Sequence, residues 1–524
     1  VSLARHLMVD LSGPRLTPQE RDFLRHARPG GMCLFGRNIE DPQQVAGLVS
    51  ELRDLLGPDL LVGIDQEGGG VVRIPQLPHP PGAMALGAAD DTELTEEVAF
   101  VTGSGLAALG INVDFAPVAD INSNPLNPVI ADRAFGGEPD LVSRHVAAFV
   151  RGLQRAGVAA TAKHFPGHGD TSLDSHLDLP YSDRTVEELL GFELLPFGEA
   201  ISAGCAAVMS AHIVLTAVDP QLPVTLSRPA VAVLRERLGF DGVLFSDALD
   251  MRAIADRWGQ ARGAAMALRA GVDMALVTGG VAEHRQALRE LDRAAAAGEL
   301  DRAAAAGELD PAGLERSRAR LTALARHYPS RSLEAGEHRR VLAELEVNGA
   351  ATVARAASKA LLSLGELPRL QVGEPVLLIT AGPARESAAT QSLVDPGEEF
   401  AVELRRAGVD VRVVRVGSAS PLPAIEVGAG TGAILFASTS RTLITEPLVQ
   451  LGQDLARRGT PFVHVALWNP YSAQLLPGPA LVTFGWRQAS LAAAARALVT
   501  GDPLPGRSPV PLTTAGGQRT LKGR

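Results

Sequence analysis

Through the first 280 residues, short continuous apolar runs alternate with longer stretches whose apolar positions recur every three to four residues. The short runs predict strands at His6–Leu11, Gly31–Phe35, Leu60–Asp65, Val113–Val118, Ala159–His164, Ala207–His212, Val243–Asp247 and Asp273–Val277. The longer ones, such as DPQQVAGLVSELRDLL and VSRHVAAFVRGLQRAG, predict helices between them. Eight strands, mostly one helix apart, fit an α/β fold of the (β/α)8 TIM-like barrel type better than a doubly wound open sheet. Residues 281–360 are rich in Ala, Arg, Glu and Leu and read as mainly helical, with LDRAAAAGE at 291–299 repeated at 300–308. Two copies do not make a solenoid, so the repeat reads as a local duplication in a surface helix or loop. Alternation resumes near Val376 (VLLITAG) and continues through VDVRVVRVG, GAILFAS and PFVHVALWNP, the pattern of a smaller α/β sandwich. The expected organisation is a catalytic barrel over 1–335, a helical linker over 336–362 and a sandwich domain over 363–524, ending in an extended Pro/Gly-rich tail.

Composition narrows the function classes. A length of 524 residues calls for more than one domain, and 46% hydrophobic with 21% charged residues supplies ample core. The net charge of −10, from 49 basic and 59 acidic residues, comes without a basic tract and argues against a nucleic-acid partner. The two cysteines, Cys33 and Cys205, both sit in apolar runs and read as buried thiols, which leaves no disulfide framework or zinc–thiolate cluster. No apolar run is long enough for a membrane span. VSLARHLMVDLSG lacks the long apolar region of a signal peptide, so a cytoplasmic location is expected.

The candidate chemistry falls at strand ends, where barrel enzymes build their sites: DQEGG after the third strand, HFPGHG after the fifth, SAH at the end of the sixth and SDALDM at the end of the seventh. The stretch KHFPGHGDTSLDSHLDLP, residues 163–180, holds three of the 12 histidines. His164, His168, Asp170, Asp174 and His176 are potential metal ligands, but no HxH pair leads the set and no remote cluster completes it. Alternatively, Asp174 and His176 stand two apart, so an extended segment projects both to one side. A carboxylate beside an imidazole fixes its tautomer and favours its protonated form, as a general acid requires. A third reading is a polar loop bonded only to backbone. Asp247 ends an apolar strand; facing a His–Asp loop it would give the geometry of double displacement, and otherwise it could cap the next helix. Asp250 falls to that following helix or loop. Asp65 precedes Gly68–Gly70, but neither GxGxxG nor GxxxxGK is present, which weakens a nucleotide reading. Asp65, Arg73, Arg133, Lys163 and His164 suit a sugar, whose hydroxyls donate and accept; singly, each could equally be a satisfied ion pair.

Together these residues resemble glycoside hydrolase family 3, in its β-N-acetylglucosaminidase or NagZ-type branch. The resemblance is carried by GGMCLFGRNI, IDQEGG, FAPVADI, DRAFG, KHFPGHGDTSLDSHLDLP, SAHI and FSDALDM, across nearly the whole barrel region. The carboxyl-terminal third resembles the second domain of the longer members. The resemblance implies Asp247 as the nucleophile of a covalent glycosyl-enzyme, with His176 as general acid/base and Asp174 as its partner. It implies that Asp65, Arg73, Arg133, Lys163 and His164 hold the terminal N-acetylglucosamine (GlcNAc). The implied activity is a retaining exo-β-N-acetylglucosaminidase without metal or cofactor. Its implied carbohydrate substrates are peptidoglycan fragments carrying GlcNAc–MurNAc or GlcNAc–anhydroMurNAc, and its role cell-wall recycling. Gly70 stands where the family commonly has arginine, and Ala248 where many members read SDDL. Because His176 would be neutral after glycosylation, phosphate could approach without like-charge repulsion, so a phosphorylase stands beside a β-glucosidase as an alternative. Outside the class stand a metallohydrolase and a non-catalytic muropeptide sensor.

Overall fold

The computed structural model describes residues 3–170, 179–296, 313–331, 335–381, 395–417 and 422–512. Eight parallel strands form the amino-terminal barrel: β1 (Leu7–Val9), β2 (Gly31–Leu34), β3 (Leu61–Ile64), β4 (Val113–Asp114), β5 (Ala159–Phe165), β6 (Ala207–Ser210), β7 (Val243–Ser246) and β8 (Ala275–Val277). They pair in chain order, and β8 returns to β1 with Leu7 opposite Ala275. A bridge between Phe245 and Met274 closes the ring, helped by the Leu276 N–H, which donates to Ser246 Oγ at 2.9 Å. Every residue of these strands is buried, because one face fills the barrel and the other packs on helices. In β2, Cys33 joins the interior cluster with Met8, Phe115 and Phe245, while Met32 and Leu34 pack outward with Val45 and Leu52. That two-sided burial is why the strands read as continuous apolar runs. Both cysteines are free and buried.

Local capping signals start the helices between the strands. Helix α1 (Pro18–Ala27) begins on a Thr17–Glu20 capping box, and α2 (Pro42–Leu56) on Asp41, whose side chain accepts from the Gln44 N–H. The fourth strand is shorter than predicted. Pro117 has no N–H to donate, and beyond Asp114 the regular strand gives way to single bonds to β5, the Thr161 and Lys163 N–H groups donating to the Ala116 and Pro117 carbonyls at 2.8 and 3.1 Å, and to a bridge from Val118 to Lys163.

The second sheet contains β9 (Leu362–Leu364), β10 (Pro375–Ala381), β11 (Asp410–Val416), β12 (Ala433–Ser438), β13 (Phe462–Ala466) and β14 (Ala480–Val482). Its order is β9-β14-β13-β12-β10-β11, parallel except for β9 against β14. The β11-β10-β12-β13-β14 part is the 2-1-3-4-5 order of doubly wound sheets. β9 and β14 were not among the predicted strands; three residues give too little pattern to read. Residues 501–512 form no regular element but bond back to the barrel, the Arg507 N–H to the Ala88 carbonyl at 2.8 Å and the Gly137 N–H to the Pro509 carbonyl at 2.9 Å. Of the duplicated segment, residues up to Ala296 belong to the helix Val281–Ala296, and the second copy lies outside the described residues. No described helix is long and apolar enough to cross a membrane.

Candidate active site

A cavity of about 620 Å³ opens at the carboxyl ends of the barrel strands, and each strand or the segment after it contributes to the lining. Its polar core is built around β3. After Ile64 the chain forms a tight hairpin, Gln66–Gly68 against Val71–Val72, turning through Gly68 and Gly69 at φ 100° and 53°. Extended backbone alternates its side chains, so Asp65 and Glu67 project to one side and Gln66 to the other. Gln66 Oε1 accepts the N–H groups of Arg73 and Ile74 at 2.9 and 3.1 Å, which locks the returning limb and brings Arg73 back onto Asp65.

The result is a chain of alternating charges. Arg73 pairs with Asp65 at 3.1 Å, Lys163 at the end of β5 reaches Asp65 at 2.7 Å and Glu67 at 2.6 Å, and Arg133 donates twice to Glu67 at 2.8 and 2.9 Å. Burial alone would raise both carboxyl pKa values. Lys163 and Arg73 instead hold Asp65 far below the usual carboxylate range, and Arg133 and Lys163 draw Glu67 down to about 2. Burial works against the charge on Lys163, but Asp65 and Glu67 outweigh it and raise the pKa. Asp65, Glu67, Lys163 and Arg133 are therefore ionised at neutral pH, with hydrogen-bonding capacity directed into one pocket.

His164 follows Lys163 and is fixed by Asp120. Asp120 Oδ2 lies 2.7 Å from His164 Nδ1, and Oδ1 accepts the N–H groups of His164 and His168 at 3.2 and 2.7 Å. A carboxylate only accepts, so Nδ1 carries the proton, and Nε2 is left facing Arg133 Nη2 at 3.5 Å. His168 is fully enclosed, and burial lowers its pKa to about 4 against the opposing charge of Asp120.

Asp247 follows β7 and lines the same cavity. Its N–H donates to the Ser210 carbonyl at 3.2 Å, and its Oδ1 accepts the Ala248 N–H at 2.8 Å. The next helix, Arg252–Trp258, has Met251 at its amino-terminal cap, so Asp247 is not a helix cap. Asp250 lines the cavity from the turn before that helix. The structure thus brings Asp65, Arg73, Arg133, Lys163, His164 and Asp247 around one opening. Asp174 and His176 lie outside the described residues. Among the described residues, no three His, Cys, Asp or Glu side chains are placed to hold a metal ion.

Four site residues escaped sequence reasoning. Glu67 and Asp120 sit inside the quoted motifs, and the two-residue spacing from Asp65 to Glu67 was the available signal for the first. Asp10 and His284 gave none, since 274 residues separate them. Asp10 follows β1, pairs with Arg37 and with His284 Nε2 at 2.8 Å, and accepts the N–H groups of Gly279 and Gly280 at 3.3 Å. Burial would raise its pKa, but the His284 hydrogen bond and charge and the Gly279 N–H lower it. At Gly70, where the resemblance expects arginine, the second domain supplies Arg487, which donates to the carbonyls of Gly69 at 2.5 Å and Gly70 at 3.3 Å.

A family model described as the glycosyl hydrolase family 3 N-terminal domain matches residues 4–310. The curated "Beta-hexosaminidase" of Methylococcus capsulatus is 42% identical over 274 residues, 52% of this chain and 81% of that protein. The glycoside hydrolase family 3 β-N-acetylglucosaminidase from Paenibacillus sp. strain FPU-7 is 33% identical, with a TM-score of 0.85, and the likeness covers 98% of both chains. NagZ from Neisseria gonorrhoeae, solved in complex with N-trifluoroacetyl-D-glucosamine, is 32% identical with a TM-score of 0.55, over 68% of this chain and 98% of its own.

Proposed function

The chain belongs to glycoside hydrolase family 3, and from that premise we propose that this glycoside hydrolase is a retaining exo-β-N-acetylglucosaminidase releasing GlcNAc from peptidoglycan fragments. The observation that carries the reading is the placement of Asp247 on the cavity that Asp65, Arg73, Arg133, Lys163 and His164 also line. Fixed charged donors and acceptors at the end of a pocket suit the hydroxyls of one terminal sugar, and a cavity of about 620 Å³ has room for that sugar and part of its aglycone. The Asp247 carboxylate attacks the anomeric carbon as His176, oriented by Asp174, protonates the departing glycosidic oxygen. The C–O bond to the aglycone breaks and a glycosyl–aspartyl ester forms. Water then attacks the same carbon, His176 takes its proton, and the Asp247 carboxylate leaves with configuration retained. The N-acetyl preference is supported by the Paenibacillus enzyme's activity and by the N-acyl glucosamine bound to the Neisseria protein. The peptidoglycan source rests on the NagZ-type resemblance.

The test compares initial hydrolysis of p-nitrophenyl β-GlcNAc and p-nitrophenyl β-glucoside in EDTA. Preference for the N-acetyl sugar, undiminished by the chelator, is expected; preference for the glucoside would move the chain to another branch. Asp247→Asn should lower turnover at least about a thousandfold on every substrate, and near-normal rates would remove it as nucleophile. His176→Ala should hurt a GlcNAc–MurNAc disaccharide more than the aryl glycoside, whose leaving group needs little protonation.

A further inference from the structure

The carboxyl ends of β12, β13 and β14 face the barrel loops that carry Glu67 and Arg133. Sheets of this strand order bind ligands outside their carboxyl ends; here part of that edge is occupied by the barrel itself. Arg441, after β12, donates from Nη2 to the Val129 carbonyl, the same oxygen that accepts from Arg133 Nη1 at 3.2 Å. The Arg441 guanidinium also interacts with the buried carboxyl group of Asp132, the neighbour of Arg133. Asn469, after β13, holds this segment by donating to the Arg441 carbonyl at 2.8 Å. Arg487, after β14, stacks 4.1 Å over the Trp486 ring and donates to the carbonyls of Gly69 and Gly70, in the turn that directly follows Glu67. Two guanidinium groups of the second domain therefore grip the two backbone segments that carry the bidentate Arg133–Glu67 pair.

We infer that Arg441 and Arg487 are positioning residues for terminal-sugar binding, through which the second domain sets the geometry of the Arg133–Glu67 clamp. The inference rests on the proposed sugar site. Neither residue lines the cavity, so each acts through backbone carbonyls rather than by touching sugar. A buried bidentate pair tolerates little displacement. A shift of either segment misdirects hydrogen bonds to the substrate while leaving Asp247, after β7, in place.

The full chain and its Arg441→Ala, Arg441→Lys and Arg487→Ala variants are compared by titration calorimetry with free GlcNAc and by kcat and KM on p-nitrophenyl β-GlcNAc. Arg441→Ala and Arg487→Ala should each weaken GlcNAc binding and raise KM roughly tenfold, with kcat changed much less. Arg441→Lys keeps a cationic donor and should recover part of the loss. Tyr471→Phe removes another contact between the domains, Asn122 Nδ2 to Tyr471 Oη at 3.0 Å. It should lower thermal stability without moving KM. Unchanged GlcNAc affinity and KM in both alanine variants, whatever their thermal midpoints, would overturn the inference. So would a KM rise in Tyr471→Phe equal to theirs, which would make the effect one of general docking. If Arg441→Ala fails to fold, Arg487→Ala and Arg441→Lys carry the test. A wild-type chain that binds GlcNAc without turnover would sink the enzymatic reading, while the binding comparison still decides this one. A chain that neither binds nor hydrolyses overturns both.

Discussion

Asp114, at the end of β4, is completely buried next to the charged cluster. Its Oδ1 accepts the Gln66 N–H at 2.9 Å, and its Oδ2 has no hydrogen-bond partner among the described residues. Burial raises its pKa to about 8; the Gln66 N–H and Lys163 pull the other way, and Asp65 and Glu67 add to the rise. A third carboxylate here would upset the alternation of three cations and two anions, and protonation removes it. The sign of the linkage follows. The unfolded chain releases this proton near pH 4, while the folded protein keeps it until about pH 8. Ionisation therefore favours the unfolded state increasingly from pH 4 to pH 8, and stability declines across that window. Asp114→Asn removes the proton but keeps an acceptor for the Gln66 N–H. Its unfolding midpoint should match wild type near pH 4 and exceed it progressively toward pH 8, by the equivalent of a few kcal/mol. A constant difference across pH, read by thermal melts in parallel buffers, would mean that Asp114 ionises normally.

At the scale of elements, β5 and the segment after it bring Lys163, His164 and His168 to the cavity. A Cβ on Gly169 would stand 1.7 Å from the Ile121 carbonyl oxygen, and Asn127 Nδ2 donates to the carbonyls of His168 and Gly169 at 2.8 and 3.0 Å. This clamp fixes the base from which the chain runs on to Asp174 and His176. Gly169→Ala must displace backbone, costing about 1–3 kcal/mol of stability. Its kcat should fall further on a GlcNAc–MurNAc disaccharide than on p-nitrophenyl β-GlcNAc; an equal fall on both would show that the base does not position proton transfer. The location of this element was legible in the sequence, because strands buried on both faces read as apolar runs that stop abruptly at polar residues. Lys163, His164 and Asp247 were found at such stops. The pairings were not legible: Arg133 meets Glu67 across 66 residues and His164 meets Asp120 across 44, and no local pattern records a contact made only by barrel closure. β4 ends earlier than its apolar run for a related reason, since Phe115–Val118 is apolar enough for a strand while Pro117 has no N–H to donate and keeps only its carbonyl bonded, to the Lys163 N–H at 3.1 Å. Missing β9 and β14 was a matter of length.

For the whole molecule, the same long-range logic decides whether the domains behave as one body. Multidomain chains often unfold in stages. Here an apolar cluster is shared: Met84, Ala85 and Ala88 from the barrel side pack with Ala360, Tyr471, Phe484 and Val510. Ion pairs from Lys359 to Asp91 and from Arg355 to Glu97 flank it, and the segment around Pro509 crosses back to the barrel backbone. Separating the domains would expose this apolar surface and take the Val129, Gly69 and Gly70 carbonyls from Arg441 and Arg487, so opening the interface should cost nearly as much as unfolding the weaker domain. The expected outcome in scanning calorimetry is one transition whose van 't Hoff and calorimetric enthalpies agree. Val510→Asp places a charge in the shared cluster and should split that transition in two, with the site-bearing barrel retaining the higher-melting component. Two resolved transitions in the wild type would mean that the domains are thermodynamically independent. The second sheet's grip on the Glu67 and Arg133 segments would then be too weak to tune sugar binding, so the calorimetric result and the Arg441 and Arg487 affinities must agree.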